Sequence, residues 1–443
     1  MTFLIYLFSF LILISVIVFV HDLGHYLFAR LFGVRILDFS IGFGKSIKSW
    51  QTKSKTVFNL RILPIGGYVK MNGEEISDKP DVKDSFSSKK YYQKLLITLG
   101  GPIFNFILAL AIFFVINLAG VYKVTPLIGD ILPNSLAGEA GIKAGDIISK
   151  IDNSSIDSFS EAQLALSKRL GDSGEIEVTV QREERSLEFY LKITDWLSSE
   201  EPSNLLYSIG VFPPLEPSVG KVLDFTPADN GGIKKGDKIL EIENVPINFW
   251  SDIKKEVNKS NGQEILLKIL RNERAQTIKI KPAFSEENFN WQVGISSSNE
   301  LSSKAKDVVY YSFSESLKKS FFQTYQVIEN SVYFLGKIIF GQISAKNLGG
   351  PVMIGQYAGE SLIYGGIYSF FYLIALISIS LGIVNLFPLP VLDGGQALIL
   401  TIEKIIGREI PISILDFFYR VGTLFLIFLF VFVFFNDIFR IVN

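Results

Sequence analysis

Residues 3–25 read FLIYLFSFLILISVIVFVHDLGH: an uncharged apolar run from Phe3 to Val20, followed at once by His21-Asp22-Leu23-Gly24-His25. These are the only two histidines in the 443-residue chain. A bilayer crossing needs about 20 apolar residues, and on a helix positions i and i+4 share a face. Two imidazoles so placed can grip one metal ion, with Asp22 about 100° round the helix from His21. Polar side chains at bilayer depth are costly and usually line a site. Three of them in five positions point to a zinc site inside a membrane rather than to a pair of satisfied core histidines. The metalloprotease pattern has Glu at the second position, where it takes a proton from the attacking water; here that residue is Asp22.

Composition agrees with a mixed chain. It is 48% hydrophobic yet carries 43 basic and 44 acidic residues, so membrane spans must alternate with ordinary soluble surface. A net charge of −1 gives no reason to propose nucleic acid binding. With no cysteine there are no disulfides and no thiolate ligands, so any metal must use imidazole and carboxylate.

Four stretches are long and apolar enough to cross a bilayer. Phe3–Val20 continues helically through the histidines towards Arg30, and is longer than a cleaved signal peptide and lacks its basic start. Leu95–Ala119 is the second and an uncharged run between Glu360 and Asp393 holds the third. The fourth is Val421–Phe435, extended backwards through Ile414, Leu415, Phe417 and Phe418. Arg30, Arg35, Lys45, Lys48, Lys53, Lys55, Arg61 and Lys70 crowd the loop between the first two spans, which the positive-inside rule places in the cytoplasm. Both termini and the long segment between the second and third spans then lie outside. The expected fold is a polytopic α-helical membrane protein of about four spans, with inserted α+β domains.

Those domains are visible as a repeat. Residues 128–153, IGDILPNSLAGEAGIKAGDIISKIDN, align without a gap on 219–244, VGKVLDFTPADNGGIKKGDKILEIEN, with 11 of 26 positions identical. The shared block, Gly141/Gly232 through Asp146/Asp237, resembles bacterial PDZ domains, modules that hold an extended peptide against a strand edge. On that resemblance Ile128–Ile131 and Val219–Val222 are the expected carboxylate-binding loops. The domain layout is then 1–120 (first membrane half), 121–200 and 201–285 (two PDZ-like domains), 286–360 (linker with amphipathic helices) and 361–443 (second membrane half).

Two imidazoles leave a tetrahedral zinc in need of a further protein ligand. Asp393 is the natural complement, because it stands in Asn385-Leu386-Phe387-Pro388-Leu389-Pro390-Val391-Leu392-Asp393-Gly394-Gly395, where two prolines and two glycines break the third span. Irregular backbone at membrane depth is tolerated only where it is buried in protein or lines a cavity. Val57–Leu63 has strand character and Pro64-Ile65-Gly66-Gly67 reads as a turn, which suits a membrane-associated β-hairpin whose edge, around Gly66 and Gly67, could pair with substrate backbone.

Taken with F-S-I-G-F-G-K (Phe39–Lys45), G-G-Y-V-K-M (Gly66–Met71) and G-G-P-I-F-N (Gly100–Asn105), these motifs resemble, over almost the whole chain, the site-2 protease family of intramembrane zinc metalloproteases. The likeness is strongest to its bacterial sigma-E protease branch with tandem PDZ domains. The resemblance implies that His21, His25 and Asp393 hold Zn2+, that Asp22 is the general base, and that Asn385 and Pro388 help position the substrate strand. It implies a protease of the bacterial inner membrane that cleaves single-span membrane proteins, such as an anti-sigma factor or remnant signal peptides, with extracytoplasmic PDZ domains that take peptide ends. The chain departs from the pattern at Asp22, one methylene shorter than Glu, and at Gln396, where the family often has His. A competing expectation follows from the first departure: a hydrolytically impaired homologue that binds membrane peptides through its PDZ domains. A zinc transporter fits less well, since the intramembrane polar residues form one compact site and no relay.

Overall fold

In a continuous apolar run nothing competes with the intrahelical hydrogen bonds that a bilayer demands, and Thr2–Leu31 is accordingly one unbroken helix in the computed structural model. The structure describes residues 2–74, 83–199, 204–286 and 289–442, so the domain boundary expected between residues 200 and 201 lies outside the described residues. Among the described residues, four helices are long and apolar enough to cross a membrane: Leu4–Leu31, Gly100–Ala119, Pro351–Asn385 and Ile412–Arg440. At a 1.5 Å rise per residue His21 lies about 26 Å along the first span from Leu4, close to the far edge of a hydrocarbon core about 30 Å thick.

Two of the expected spans differ in detail. The second begins at Gly100, because the chain breaks at Leu99 after a short separate helix, Tyr91–Thr98. The third is two helices in one: Gly366 sits at φ 66° and ψ −166°, a conformation open to glycine but not to other residues, so a 351–365 segment meets a 367–385 span at a kink. Asp437, buried near the end of the last span, accepts hydrogen bonds from the backbone N–H groups of Gly350 (2.9 Å), Val352 (3.0 Å) and Met353 (3.0 Å). These are N–H groups that a helix start leaves without intrahelical partners. The carboxylate thereby ties the end of the last span to the start of the 351 helix.

By internal contacts the chain forms two units, one of Met1–Gly120, Tyr310–Ile338 and Ala345–Asn443, the other of Val121–Val309 with Ile339–Ser344. In the first unit, strands Ile36–Gln51 and Val57–Met71 make the hairpin, but each is bent. Asp38–Ile41 pairs with Val57–Leu60 on one side and with Gly67–Lys70 on the other. Alternation sorts its side chains. Phe39 is buried and packs edge-on against Phe19 and Tyr26 of the first span, docking the sheet. Arg61 stitches the bend, donating to Ser40 Oγ (2.6 Å), the Gly44 carbonyl (2.8 Å) and Tyr68 Oη (2.8 Å). Towards the tip Phe43, Ile47, Trp50, Ile62 and Leu63 are exposed, an apolar surface suited to lipid.

The second unit holds two copies of one design. Each has an antiparallel four-stranded sheet, in the spatial order 154–155, 147–151, 174–182, 185–193 and again 245–246, 238–242, 265–271, 274–280. The repeated Gly-Asp turn is explained by its carboxylate. Asp146 and Asp237, both 1% exposed, accept from the backbone N–H three residues earlier and from a paired arginine, Arg182 (2.6 and 2.7 Å) or Arg271 (2.7 and 2.6 Å). Each arginine also donates to the carbonyl of Gly141 or Gly232, closing the turn on the sheet.

Candidate metal centre

The site is assembled by backbones that approach more closely than side chains allow. Gly24 on the first span faces Gly100 on the second: a Cβ on Gly24 would fall 2.1 Å from the Gly100 carbonyl oxygen, and one on Gly100 2.8 Å from that of Gly24. This crossing presses the histidine face against the first turn of the second span, where a Cβ on Gly101 would fall 2.4 Å from His25 Nε2 and 2.6 Å from His21 Nε2. Each ring is held from behind. His25 Nδ1 lies 2.9 Å from the Ile97 carbonyl oxygen and donates its proton there, while His21 Nδ1 lies 3.2 Å from the side-chain amide of Asn105.

The third group comes from the broken span. After Asn385 the chain runs irregularly through Leu386–Leu392, and a new helix starts at Asp393. Gly394 and Gly395 let that helix fold back on the loop, since a Cβ on either would meet the carbonyl oxygen of Leu386 (2.1 Å) or Leu389 (2.0 Å). Asp393 Oδ2 is thereby brought to 3.3 Å from His21 Nε2 and 3.6 Å from His25 Nε2, and the two nitrogens are 3.2 Å apart. Zinc bonds of 2.0–2.1 Å in a tetrahedral array require ligand atoms about 3.3–3.4 Å from one another. The triangle present here has that size. Its carboxylate oxygen is buried and its neighbours are the two ring nitrogens rather than a well-aligned donor, as a metal ligand requires. The side chains are 13–16% exposed.

Asp22 is 8% exposed and lies against the hairpin, where a Cβ on Gly67 would fall 2.4 Å from its Oδ2 and 2.6 Å from the Ser40 carbonyl. The second glycine of the expected turn therefore lets the outer hairpin segment lie against the carboxylate. Gly66, at φ 102°, supplies the bend before it. Asn385 is half-buried at the end of the third span. Pro388 is exposed and lines an apolar cleft of about 360 Å³ with Phe106, Ile328, Val332, Ile383, Leu386 and Phe387. Gln396 is half-buried one turn into the Asp393 helix.

The model of peptidase family M50 matches residues 9–429. The chain belongs to peptidase family M50, the site-2 protease family. It is 35% identical over 450 residues to a regulator of sigma E protease from Haemophilus influenzae, all of both chains being covered. It is 33% identical to the regulator of sigma-E protease RseP of Escherichia coli K12 and 32% identical to protease RseP of Yersinia pestis, with 98% of each chain covered in both cases. Further relatives of similar identity carry provisional names as zinc metalloproteases.

The segments expected as carboxylate-binding loops are drawn into strand pairs. Asp130–Ile131 and Val219–Val222 are strands, paired with Val211–Phe212 and Ile295–Ser297 respectively. The open groove, about 310 Å³, runs in the second repeat between the Trp250–Lys259 helix (Trp250, Ile253, Lys254, Val257, Asn258) and residues 290–295. The matching helix of the first repeat, Phe159–Ser167, is covered. Leu205 and Leu206 are buried, and the Leu205 N–H donates to Gln163 Oε1 at 2.8 Å, Gln163 being the counterpart of Lys254 at the same offset of 91. Residues 205–206 and 290–295 lie outside the 26 residues that the two repeats share, so the repeat pattern carries no mark of this difference. Sequence reading also gave no role to Gly24, Gly101 or Asn105. Glycines on both facing helices were the available signal, small residues being what lets membrane helices approach.

Proposed function

We propose that this chain is an intramembrane zinc endopeptidase, in which His21, His25 and Asp393 hold the metal and Asp22 is the carboxylate that moves the proton. The observation that carries this is the triangle of ligand atoms, 3.2, 3.3 and 3.6 Å on its sides, next to the buried Asp22. When bound there, zinc supplies Lewis-acid chemistry that polarises a carbonyl and acidifies water. Everything else is work for the protein's own groups. Asp22 accepts the proton of the attacking water and returns it to the departing amine. The hairpin segment from Gly66 to Met71 offers backbone groups on which an unwound substrate strand is held, the carbonyl to be cut lying beside Asp22. Asn385 and Pro388 flank that strand from the other side. A transmembrane helix hides its amides in its own hydrogen bonds, so pairing to the hairpin offsets the cost of unwinding it.

Several relatives are named regulators of sigma E protease, which supports single-span substrates such as an anti-sigma factor; remnant signal peptides have the same form. The positive-inside rule supports an inner-membrane setting with the hairpin cytoplasmic and the two PDZ-like domains periplasmic. Of these, the second takes a peptide end in its open groove, while the matching helix of the first is engaged by the segment of the buried Leu205 and Leu206 through Gln163. Asp22 being one methylene short withdraws the base by about 1.5 Å, and misplacements of about 1 Å can cost 10²-fold. The enzyme is therefore slower than a Glu counterpart. Cleavage of a single-span substrate by purified chain tests this: Asp22→Glu should cleave faster, and Asp22→Asn should abolish cleavage yet keep zinc. Asp22→Asn cleaving at the parent rate would remove Asp22 from the mechanism.

A further inference from the structure

Asn105 lies in the second span, 0% exposed, and is wedged from both sides. Its backbone carbonyl accepts a hydrogen bond from Ser378 Oγ of the third span at 2.9 Å, and Gly382 passes so near that an added Cβ would lie 3.4 Å from Asn105 Cβ. The amide nitrogen is drawn 3.2 Å from His21 Nδ1, and the amide oxygen Oδ1 is buried without a partner. Nitrogen and oxygen of a carboxamide are interchanged by a half-turn of the group, so their assignment follows from the hydrogen-bond chemistry of the neighbour.

That neighbour decides. A ring whose Nε2 ligates a cation carries no proton there, and a neutral imidazole then has its one proton on Nδ1. Nδ1 of His21 is therefore a donor, and needs an acceptor 3.2 Å away rather than an NH2 group. His25 supplies the comparison within the same site: its Nδ1 faces the Ile97 carbonyl, an atom that can only accept, at 2.9 Å. Rotating the Asn105 amide gives His21 the same arrangement. The half-turn does not remove the partnerless atom, since NH2 takes the place of Oδ1; the proton of His21 makes the choice. We propose that Asn105 is a positioning residue whose Oδ1 accepts the Nδ1–H of His21, fixing the tautomer and the ring orientation that aim Nε2 at the point shared with His25 and Asp393. Groups in this position on zinc-bound histidines typically change metal affinity 10–100-fold when removed. The inference rests on His21 being a ligand, as proposed above.

The experiment is zinc competition against a graded chelator on the full chain in detergent, with the visible spectrum of the Co2+-loaded protein as a second readout. Three variants are compared with the parent. Asn105→Leu keeps the bulk and loses the acceptor, and should weaken zinc 10–100-fold and alter the Co2+ spectrum. Asn105→Asp, whose ionised carboxylate can only accept, should at a pH where it is ionised hold zinc at least as tightly as the parent with the parent's spectrum. A folded Asn105→Asp that loses zinc overturns the proposal, because a donor would then be what His21 needs; this arm decides even if Asn105→Leu does not fold. Parent affinity and spectrum in Asn105→Leu overturn it equally. His21→Ala separates the two levels. If it loses zinc while Asn105→Leu keeps it, the positioning role alone falls; if it keeps zinc, the ligand assignment falls and the positioning role with it.

Discussion

Replacing Gly101 by alanine tests the geometry of the centre with a single methyl group. Gly101 has ordinary helical backbone angles, so alanine brings no conformational strain and only its Cβ matters. That carbon would lie 2.4 Å from His25 Nε2, 2.5 Å from His21 Cε1 and 2.6 Å from His21 Nε2. Comfortable contact is about 3.5 Å, so the rings must retreat by roughly 1 Å. Overpacking of this kind costs about 1–3 kcal/mol. Relief requires moving the very nitrogens that now stand 3.2 Å apart, so the cost falls on metal binding rather than on the fold. Zinc affinity should drop between about 5-fold and 150-fold, at 1.4 kcal/mol for each tenfold. Chelator competition on the purified chain measures it, with thermal unfolding of the metal-free protein as the check on folding. Gly336→Ala is the control, since nothing lies within 4 Å of its added Cβ, and it should leave zinc unchanged. If Gly101→Ala binds zinc as the parent does, the second span does not lie against the ring nitrogens and the centre described here is wrong.

Three further outcomes are expected. Single-cysteine labelling should tag the chain at position 53 from the cytoplasmic side and at 234 from the outside; the reverse pattern would invert the topology. Trp250→Ala should weaken binding of a peptide with an apolar C-terminal end at least tenfold, while Gln163→Ala should leave it unaltered, as fluorescence titration would report; equal effects would mean that the first groove is not filled. Glu216 is pushed up by burial but held down more strongly by Lys238 (2.7 Å) and by the N–H and Oγ of Ser303 (2.7 and 2.9 Å), leaving it at about 2 against an ordinary value of 4.5. A carboxylate so depressed stabilises the fold above about pH 4.5, on the order of 2 kcal/mol, and that gain is lost as pH falls towards 2. Hydrogen exchange in the second repeat should therefore accelerate in Glu216→Gln at pH 7 but match the parent near pH 2, and an equal difference at both pH values would exclude the ion pair as its source.

How much of this was legible in the sequence depended on whether a feature is local. The His21/His25 face, the four apolar spans and the repeat are periodic or contiguous patterns, and periodicity survives in a single chain. Asp393 was legible for a different reason: prolines and glycines at membrane depth announce a backbone that must line something. What could not be read were contacts between distant segments that leave no periodic mark. The double pairing of Asp38–Ile41 arises from bends in both hairpin strands, whose apolar alternation looks the same in a flat hairpin. The strand pairing that displaced the expected carboxylate-binding loops joins residues about 80 apart, Asp130 with Phe212 and Val219 with Ser297. Asn105 stood in a motif that carried the family resemblance, yet its tie to His21 crosses 84 residues.

The glycines at these contacts are one solution to a problem set by the bilayer. Between helices in lipid there is no hydrophobic force to drive association, and close backbone approach must supply the attraction instead. Gly24 against Gly100 provides that approach, and Gly101 extends it to the ring nitrogens. Gly67 and the Gly394–Gly395 pair do for the hairpin and the broken span what those residues do for the first two helices. The three proposed ligand atoms converge because four separate stretches of backbone lie within side-chain distance of one another, and a side chain at any of these glycines would push one stretch away. It follows that the polar groups need not be strongly paired to hold their places. Asp393 is placed by the loop carbonyls of Leu386 and Leu389, which pass so close behind Gly394 and Gly395 that no side chain fits there.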